Sequence, residues 1–142
     1  MEETPLLYFA YTARIAPDRM ADVAPGAEFQ FIAHQPEWGL TFPIDGNGWD
    51  GALPTVFPEA GSTVWGAVFA VPETDMSGLD AAEQSESRTA TMVEAMDRMG
   101  KRHRVTLHLS NGGTIGNGHA PSAQYVALML EGSRHWSLPA GW

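Results

Sequence analysis

Residues 63–71 read TVWGAVFAV, and both alternating faces of this stretch are apolar. One face carries Trp65, Ala67, Phe69 and Val71, and the other carries Val64, Gly66, Val68 and Ala70. A strand with this pattern is covered on both sides, so we expect it in the middle of a β-sheet. Pro72 follows directly and ends the strand, because proline cannot donate a ladder hydrogen bond.

Short apolar or alternating segments, separated by glycine and proline, predict the remaining strands. They are residues 6–11, 27–34, 38–42, 52–57, 88–96 and 102–109. Turn signals stand at Asp45-Gly46-Asn47-Gly48 and at Gly100-Lys101. Pro17-Asp18 indicates a loop or a short helical turn after the first strand.

Two helices are predicted. The first is capped by Thr74 or Asp75 and runs to about Gln84. The second runs from Pro121 to about Gly132, where Tyr125, Leu128, Met129 and Gly132 form one stripe at helical spacing. The pattern as a whole predicts an α+β protein, a small curved or closed β-barrel of about seven short strands with flanking helices.

The composition indicates one compact unit. The chain has 142 residues, 44% of them hydrophobic, with no internal repeat and no linker, so we expect a single domain over residues 1–142. It has no cysteine, which excludes thiolate zinc sites, iron–sulfur clusters and cysteine nucleophiles. Acidic residues outnumber basic ones by 17 to 8, and the resulting negative field repels nucleic acid and anionic membranes. We therefore expect a cytoplasmic protein with no nucleic-acid or membrane partner.

The familiar catalytic and metal-binding patterns do not occur. His103 and His108 lie five residues apart on a predicted strand, which directs them to opposite faces, and the chain has no His-Glu-x-x-His pattern. No serine has a nucleophile-elbow context, and residues 112–118 do not form a phosphate loop. The prediction is no metal and no cofactor, and the sequence leaves the oligomeric state open.

Several short motifs occur in a particular order along nearly the whole chain. They are Tyr8-Phe9-Ala10-Tyr11, Trp49-Asp50-Gly51-Ala52, Val64-Trp65-Gly66, Leu79-Asp80-Ala81-Ala82-Glu83, Pro121-Ser122-Ala123-Gln124-Tyr125 and Leu138-Pro139. This ordered set resembles the gamma-glutamylcyclotransferase-like (AIG2-like) family. The resemblance implies a β-barrel with flanking helices, and an enzyme that cleaves a γ-glutamyl amide by intramolecular cyclisation to 5-oxoproline.

By motif position, the resemblance assigns Glu83 as the general acid/base. Such a residue takes a proton from the substrate α-ammonium group and then gives one to the departing nitrogen. We expect burial near apolar neighbours to raise its pKa towards neutrality. Considered without the resemblance, Glu83 is an ordinary solvated carboxylate in the last turn of a helix, where the helix dipole disfavours it.

Substrate binding is expected at Tyr11, Thr12, Ala13, Arg14 and Tyr125. The family has Gly-Ser-Asn where this chain has Thr12-Ala13-Arg14, Gln84 replaces the glycine after the glutamate, and an expected aromatic residue falls near Ala90. Backbone N–H groups survive such changes, so an oxyanion pocket of altered shape is expected. Arg14 is either a carboxylate-binding residue or a surface arginine, and Tyr125 either binds substrate or packs in the last helix.

Two functions therefore stay open. One is an enzyme that acts on a small γ-glutamyl amide. The other is a catalytically degenerate relative that binds a small carboxylate or amide, or a protein partner, without turnover.

Overall fold

A computed structural model describes residues 6–44, 53–86, 88–110 and 122–139. The strands are β1 Leu6–Ala10, β2 Glu28–Ile44, β3 Leu53–Val71, β4 Thr89–Asp97 and β5 Arg102–Leu109. The helices are α1 Pro17–Val23, α2 Glu73–Ser85 and α3 Ala123–His135, and a 3₁₀ turn spans Ala13–Ile15. The turn predicted at 45–48, the Trp49–Ala52 motif and the glycine-rich segment 112–118 lie outside the described residues.

The five strands form a closed barrel in the order β1-β3-β2-β4-β5. Neighbours are antiparallel except β1 and β5, which run parallel where Tyr8 pairs with Thr106. The central strand predicted at 63–71 lies in β3, between β1 and β2, and is largely buried. The predicted α+β barrel with flanking helices is confirmed.

The strand count differs from the prediction because four predicted segments merge into two long strands. Residues 27–34 and 38–42 belong to β2 from Glu28 onward, and residues 52–57 and 63–71 belong to β3 from Leu53 onward. Pro36 does not end β2, because a bulge between Pro36 and Trp38 absorbs the irregularity, with Glu37 at a φ of 66°. The described barrel therefore has five strands, rather than about seven.

The helices differ slightly from expectation at their starts and ends. Pro17-Asp18 begins a true helix, α1. Helix α2 begins at Glu73 directly after Pro72, so a cap at Thr74 or Asp75 is wrong. Helix α3 begins after Ser122, whose side chain accepts the Tyr125 N–H at 3.1 Å. In the described residues, no helix is both long and apolar enough to cross a membrane.

A close approach of backbones draws β1 against β3. A Cβ added to Gly66 would lie 2.6 Å from the Ala10 carbonyl oxygen and 2.8 Å from the Phe9 ring. Only glycine fits between these groups, which explains the glycine in the Val64-Trp65-Gly66 motif. This packing holds the end of β1 close to β3, and it positions the start of the turn that follows β1.

Candidate functional site

Glu83 lies in the last turn of α2, and its side chain is completely buried. Its Oε1 atom accepts hydrogen bonds from the Tyr8 hydroxyl at 2.8 Å and from Arg14 Nη1 at 2.9 Å. Its Oε2 atom accepts one from Arg88 Nη1 at 2.9 Å. The alternative of a solvated carboxylate is therefore wrong, because the helix end turns inward against β1.

Arg88 is the partner that the sequence did not reveal. It has no exposed surface, and its Nε donates to the Pro54 carbonyl at 2.6 Å. Its Nη1 contacts Glu86 Oε1 at 2.6 Å as well as Glu83, and Arg14 Nη1 reaches the same Glu86 oxygen at 3.0 Å. Two arginines and two glutamates thus form one compact, charge-balanced cluster. Arg88 stands at the start of a predicted strand, and no spacing rule links it to Glu83.

The pKa of Glu83 is lowered, which corrects the expectation that burial would raise it. Burial does act in the upward direction, since it disfavours the charged form. The positive charges of Arg88 and Arg14, together with the hydrogen bond from Tyr8, outweigh burial. The carboxylate is therefore ionised at neutral pH.

The segment after β1 lies directly against Glu83. Arg14 contacts the carboxylate, and Tyr11, Thr12 and Ala13 are buried beside it. The Tyr125 hydroxyl on α3 accepts the Ala13 N–H at 3.2 Å. The structure therefore brings all five predicted binding residues to one place. Arg14 is not a surface arginine, since its side chain is only 11% exposed.

The backbone of this segment is unstrained, and its donors are used internally. Thr12 has a φ of −91°, so its position does not require the glycine of the family motif. Its hydroxyl accepts the Arg14 N–H at 3.3 Å, and its carbonyl accepts the Ile15 N–H at 3.0 Å. With the Ala13 N–H bound to Tyr125, the N–H groups of residues 13–15 all have partners within the chain.

A small cavity of about 70 Å³ opens beside this cluster. Its lining residues come from the 3₁₀ turn, from α1, from the end of α2 and from α3, and they include Arg14, Arg19, Glu86 and Tyr125. Arg14 stands between this cavity and Glu83, since it lines the cavity and also contacts the buried carboxylate.

A histidine and an aspartate form a second polar pair next to Glu83. His108 is buried near the end of β5, and its Nε2 lies 2.7 Å from Asp80 Oδ1 on α2. Its ring centroid lies 5.5 Å from that of Tyr8. The Tyr11 hydroxyl donates to the His108 carbonyl at 2.6 Å. Within the described ranges, no group of three or more histidine, aspartate or glutamate side chains is arranged to hold a metal ion.

The sequence and the fold are similar to those of known proteins. No protein-family model matches the sequence. The chain is 27% identical to human gamma-glutamylcyclotransferase over 97% of its own length and 75% of that protein. It is 29% identical to the mouse gamma-glutamylcyclotransferase, over 94% of its own length and 72% of that protein. A solved gamma-glutamyl cyclotransferase structure superimposes with a TM-score of 0.86 at 26% identity, covering 94% of this chain and 81% of that one.

The chain has the gamma-glutamylcyclotransferase-like fold. The predicted family resemblance is thereby confirmed, and the enzyme prediction is supported, since these relatives are named as enzymes. Within this gamma-glutamylcyclotransferase-like frame, two arginines contact the motif glutamate. One of them, Arg14, stands where the family motif has its asparagine. The replacement of that asparagine by Arg14 therefore adds a positive charge beside Glu83.

Proposed function

We propose that this protein cleaves a small γ-glutamyl amide by cyclisation to 5-oxoproline, with Glu83 as the general acid/base. One observation carries the proposal: a fully buried carboxylate lies within hydrogen-bond distance of the segment that follows β1. The similarity to gamma-glutamylcyclotransferases over most of the chain supports it.

In this reaction the protein has to position the substrate and transfer protons. The α-amine of the substrate attacks its own γ-carbonyl, a new N–C bond closes a five-membered ring, and the old amide C–N bond breaks. Holding the two ends together gives the attack a high effective molarity. One proton from the attacking nitrogen passes through Glu83 to the departing nitrogen.

Oε2 is the oxygen of Glu83 suited to carry this proton. A carboxylate oxygen has room for about two hydrogen bonds. Oε1 already accepts two, from Tyr8 and Arg14, whereas Oε2 accepts one, from Arg88. The lowered pKa keeps Glu83 ionised and ready to accept a proton, and makes its protonated form a ready donor to the departing nitrogen.

The remaining residues of the cluster bind the substrate in this proposal. Arg14 lines the cavity and offers a guanidinium to a substrate carboxylate, for which its planar fork is well shaped. Ala13 and Tyr125 line the same cavity and are joined by a hydrogen bond, and Tyr11 and Thr12 are buried next to Ala13 along the chain. The reaction needs no cofactor and no metal.

A second candidate is binding without turnover. It is favoured by the ion pair of Arg14 with Glu83, which occupies one carboxylate oxygen and lowers the pKa of the proposed base. In this alternative the cluster holds a small carboxylate or amide, and no bond is broken.

Incubation of the pure protein with γ-glutamyl amines and γ-glutamyl dipeptides separates the two candidates. The enzyme proposal expects 5-oxoproline, detected by mass spectrometry, from at least one compound, and none from the Glu83→Gln protein. Saturable binding of a panel member by calorimetry, with no 5-oxoproline from any member, would establish the second candidate instead.

A further inference from the structure

We propose that His108, held by Asp80, is a second proton-transfer residue of this site and accepts a proton from the α-ammonium group of the ligand. This inference rests on the proposed function, and it adds a residue and a chemical group to it. The ligand class is a compound with a primary ammonium group beside the γ-glutamyl chain.

The stoichiometry of the cyclisation calls for a second proton acceptor. An α-ammonium nitrogen carries three protons, whereas the lactam nitrogen of 5-oxoproline carries one. One of the two lost protons travels through Glu83 to the departing nitrogen. The other has to leave before the attack, because an ammonium nitrogen has no lone pair. In our proposal it passes to His108 and then to solvent, so that atoms and charges balance.

His108 has one nitrogen fixed and one nitrogen free. Nε2 lies 2.7 Å from Asp80 Oδ1, and a carboxylate at this distance keeps that nitrogen protonated. The proton-free Nδ1 is then an acceptor. It is buried and has no hydrogen-bond partner in the described part of the chain. A buried acceptor without a partner is costly, and a donor such as an ammonium group would satisfy this nitrogen.

The neighbours of His108 belong to the same site. Asp80 precedes Glu83 by three residues on α2, so both carboxylates project from adjacent turns of one helix. From β1, Tyr8 packs on the imidazole and donates to Glu83. Tyr11 donates to the His108 carbonyl. The titratable groups that face His108 from the elements around it are thus Asp80 and Glu83 of α2, Tyr8 of β1 and Tyr11 after it.

The first test compares pH profiles of kcat/KM for the wild type, His108→Gln and Asp80→Asn. We expect His108→Gln to lose about 10²–10³-fold in kcat/KM near neutral pH, and this loss to shrink as the pH rises, because the variant depends on substrate whose amine is already deprotonated. Asp80→Asn should show a smaller loss in the same direction.

His103→Gln is the matched control. His103 also pairs with an aspartate, since its Nε2 lies 2.8 Å from Asp97 Oδ2, but it stands about 16 Å further back along β5. This variant should keep the wild-type profile. A His108→Gln profile that matches those of the wild type and His103→Gln overturns the proposal.

The second test uses the wild-type protein and does not depend on a folded variant. Long-range ¹H–¹⁵N spectra report the side-chain nitrogens of histidine, and the His108→Gln spectrum assigns the signal. L-glutamate, which carries the ammonium group, should shift Nδ1 of His108, and glutarate, which lacks it, should not. No shift, or an equal shift with both compounds, overturns the inference.

The two proposals fail separately. A glutamate-specific shift without any 5-oxoproline from the panel would remove the enzyme proposal and leave the ammonium contact in place. Production of 5-oxoproline with an unchanged His108→Gln profile would remove the His108 proposal and leave the enzyme proposal in place.

Discussion

The carboxylate of Glu83 and the guanidinium of Arg88 form an ion pair of 2.9 Å in which neither side chain has any exposed surface. Arg14 and Glu86 complete the cluster, so each of these two buried charges has two partners of opposite sign. The catalytic proposal for Glu83 is therefore tied to an arginine that the family motif does not include. Removing either partner affects stability as well as chemistry, and tests of function have to separate the two effects.

Glu83→Gln should abolish turnover while the protein stays folded. The amide cannot carry a proton between two nitrogens, and it leaves Arg14 and Arg88 to share Glu86 as their acidic partner, so we expect a loss of about 3 kcal/mol in the free energy of unfolding. Product assays and urea unfolding measure the two effects. Glu94→Gln is the control, because Glu94 pairs with Arg102 only at 3.8 Å on the exposed surface. Turnover by a folded Glu83→Gln protein would remove Glu83 from the mechanism.

Arg14→Asn, which introduces the residue of the family motif, tests substrate binding. We expect KM for substrates with a free α-carboxylate to rise about tenfold to a hundredfold, with a smaller change in kcat, because a charge-assisted contact worth about 1.5–3 kcal/mol is lost. Steady-state kinetics separate the two constants. Arg102→Gln, at an exposed position, should leave both unchanged. An unaltered KM in Arg14→Asn would show that Arg14 serves only the ion-pair cluster.

The ionisation of the tyrosine hydroxyls can be followed by absorbance. The chain has three, Tyr8, Tyr11 and Tyr125, and all are buried. Burial raises the pKa of each above the ordinary value of 10. Absorbance at 295 nm should therefore show less tyrosinate at pH 10 in the folded protein than in guanidinium chloride, where the tyrosines should titrate normally. A folded-state midpoint near 10 would contradict the buried hydroxyl contacts.

The same shifts set the sign of the alkaline stability change. A phenol with a raised folded-state pKa contributes stability in full below the unfolded-state value of about 10, and this contribution is lost as the pH rises towards the folded-state pKa. The free energy of unfolding should thus fall above pH 10. A constant value from pH 9 to 11 would argue against the shifts.

Two glycines in helices should respond in opposite ways to alanine. A Cβ on Gly132 of α3 would lie 2.5 Å from the carbonyl carbon of Ile15, so Gly132→Ala should push α3 away from the 3₁₀ turn and destabilise the protein by about 1–3 kcal/mol. Gly78 of α2 is exposed, and its added Cβ would meet only the Val23 carbonyl oxygen at 3.4 Å. Gly78→Ala should stabilise by up to about 1 kcal/mol.

Urea unfolding measures both glycine variants. Because Trp136 Nε1 donates to the Ile15 carbonyl at 2.8 Å, tryptophan fluorescence should also change in Gly132→Ala. An equal change in the free energy of unfolding for the two variants would mean that α3 is not packed closely against the turn beside Arg14.

Local patterns predicted most of the scaffold. The apolar run at 63–71 identified the buried strand, and the ordered motifs indicated the family and the residues near the site. The merging of segments into β2 was not predictable, because whether Pro36 ends a strand or sits in a bulge depends on the pairing partner in β3.

The sequence by itself indicated Glu83 as the candidate carboxylate, since motif order is a property of the chain that needs no coordinates. Only the tertiary structure decided the charge state of Glu83. Arg14 and Arg88 lie on different segments, and a pKa follows from the balance of burial against charges within a few ångströms, which no spacing along the chain encodes.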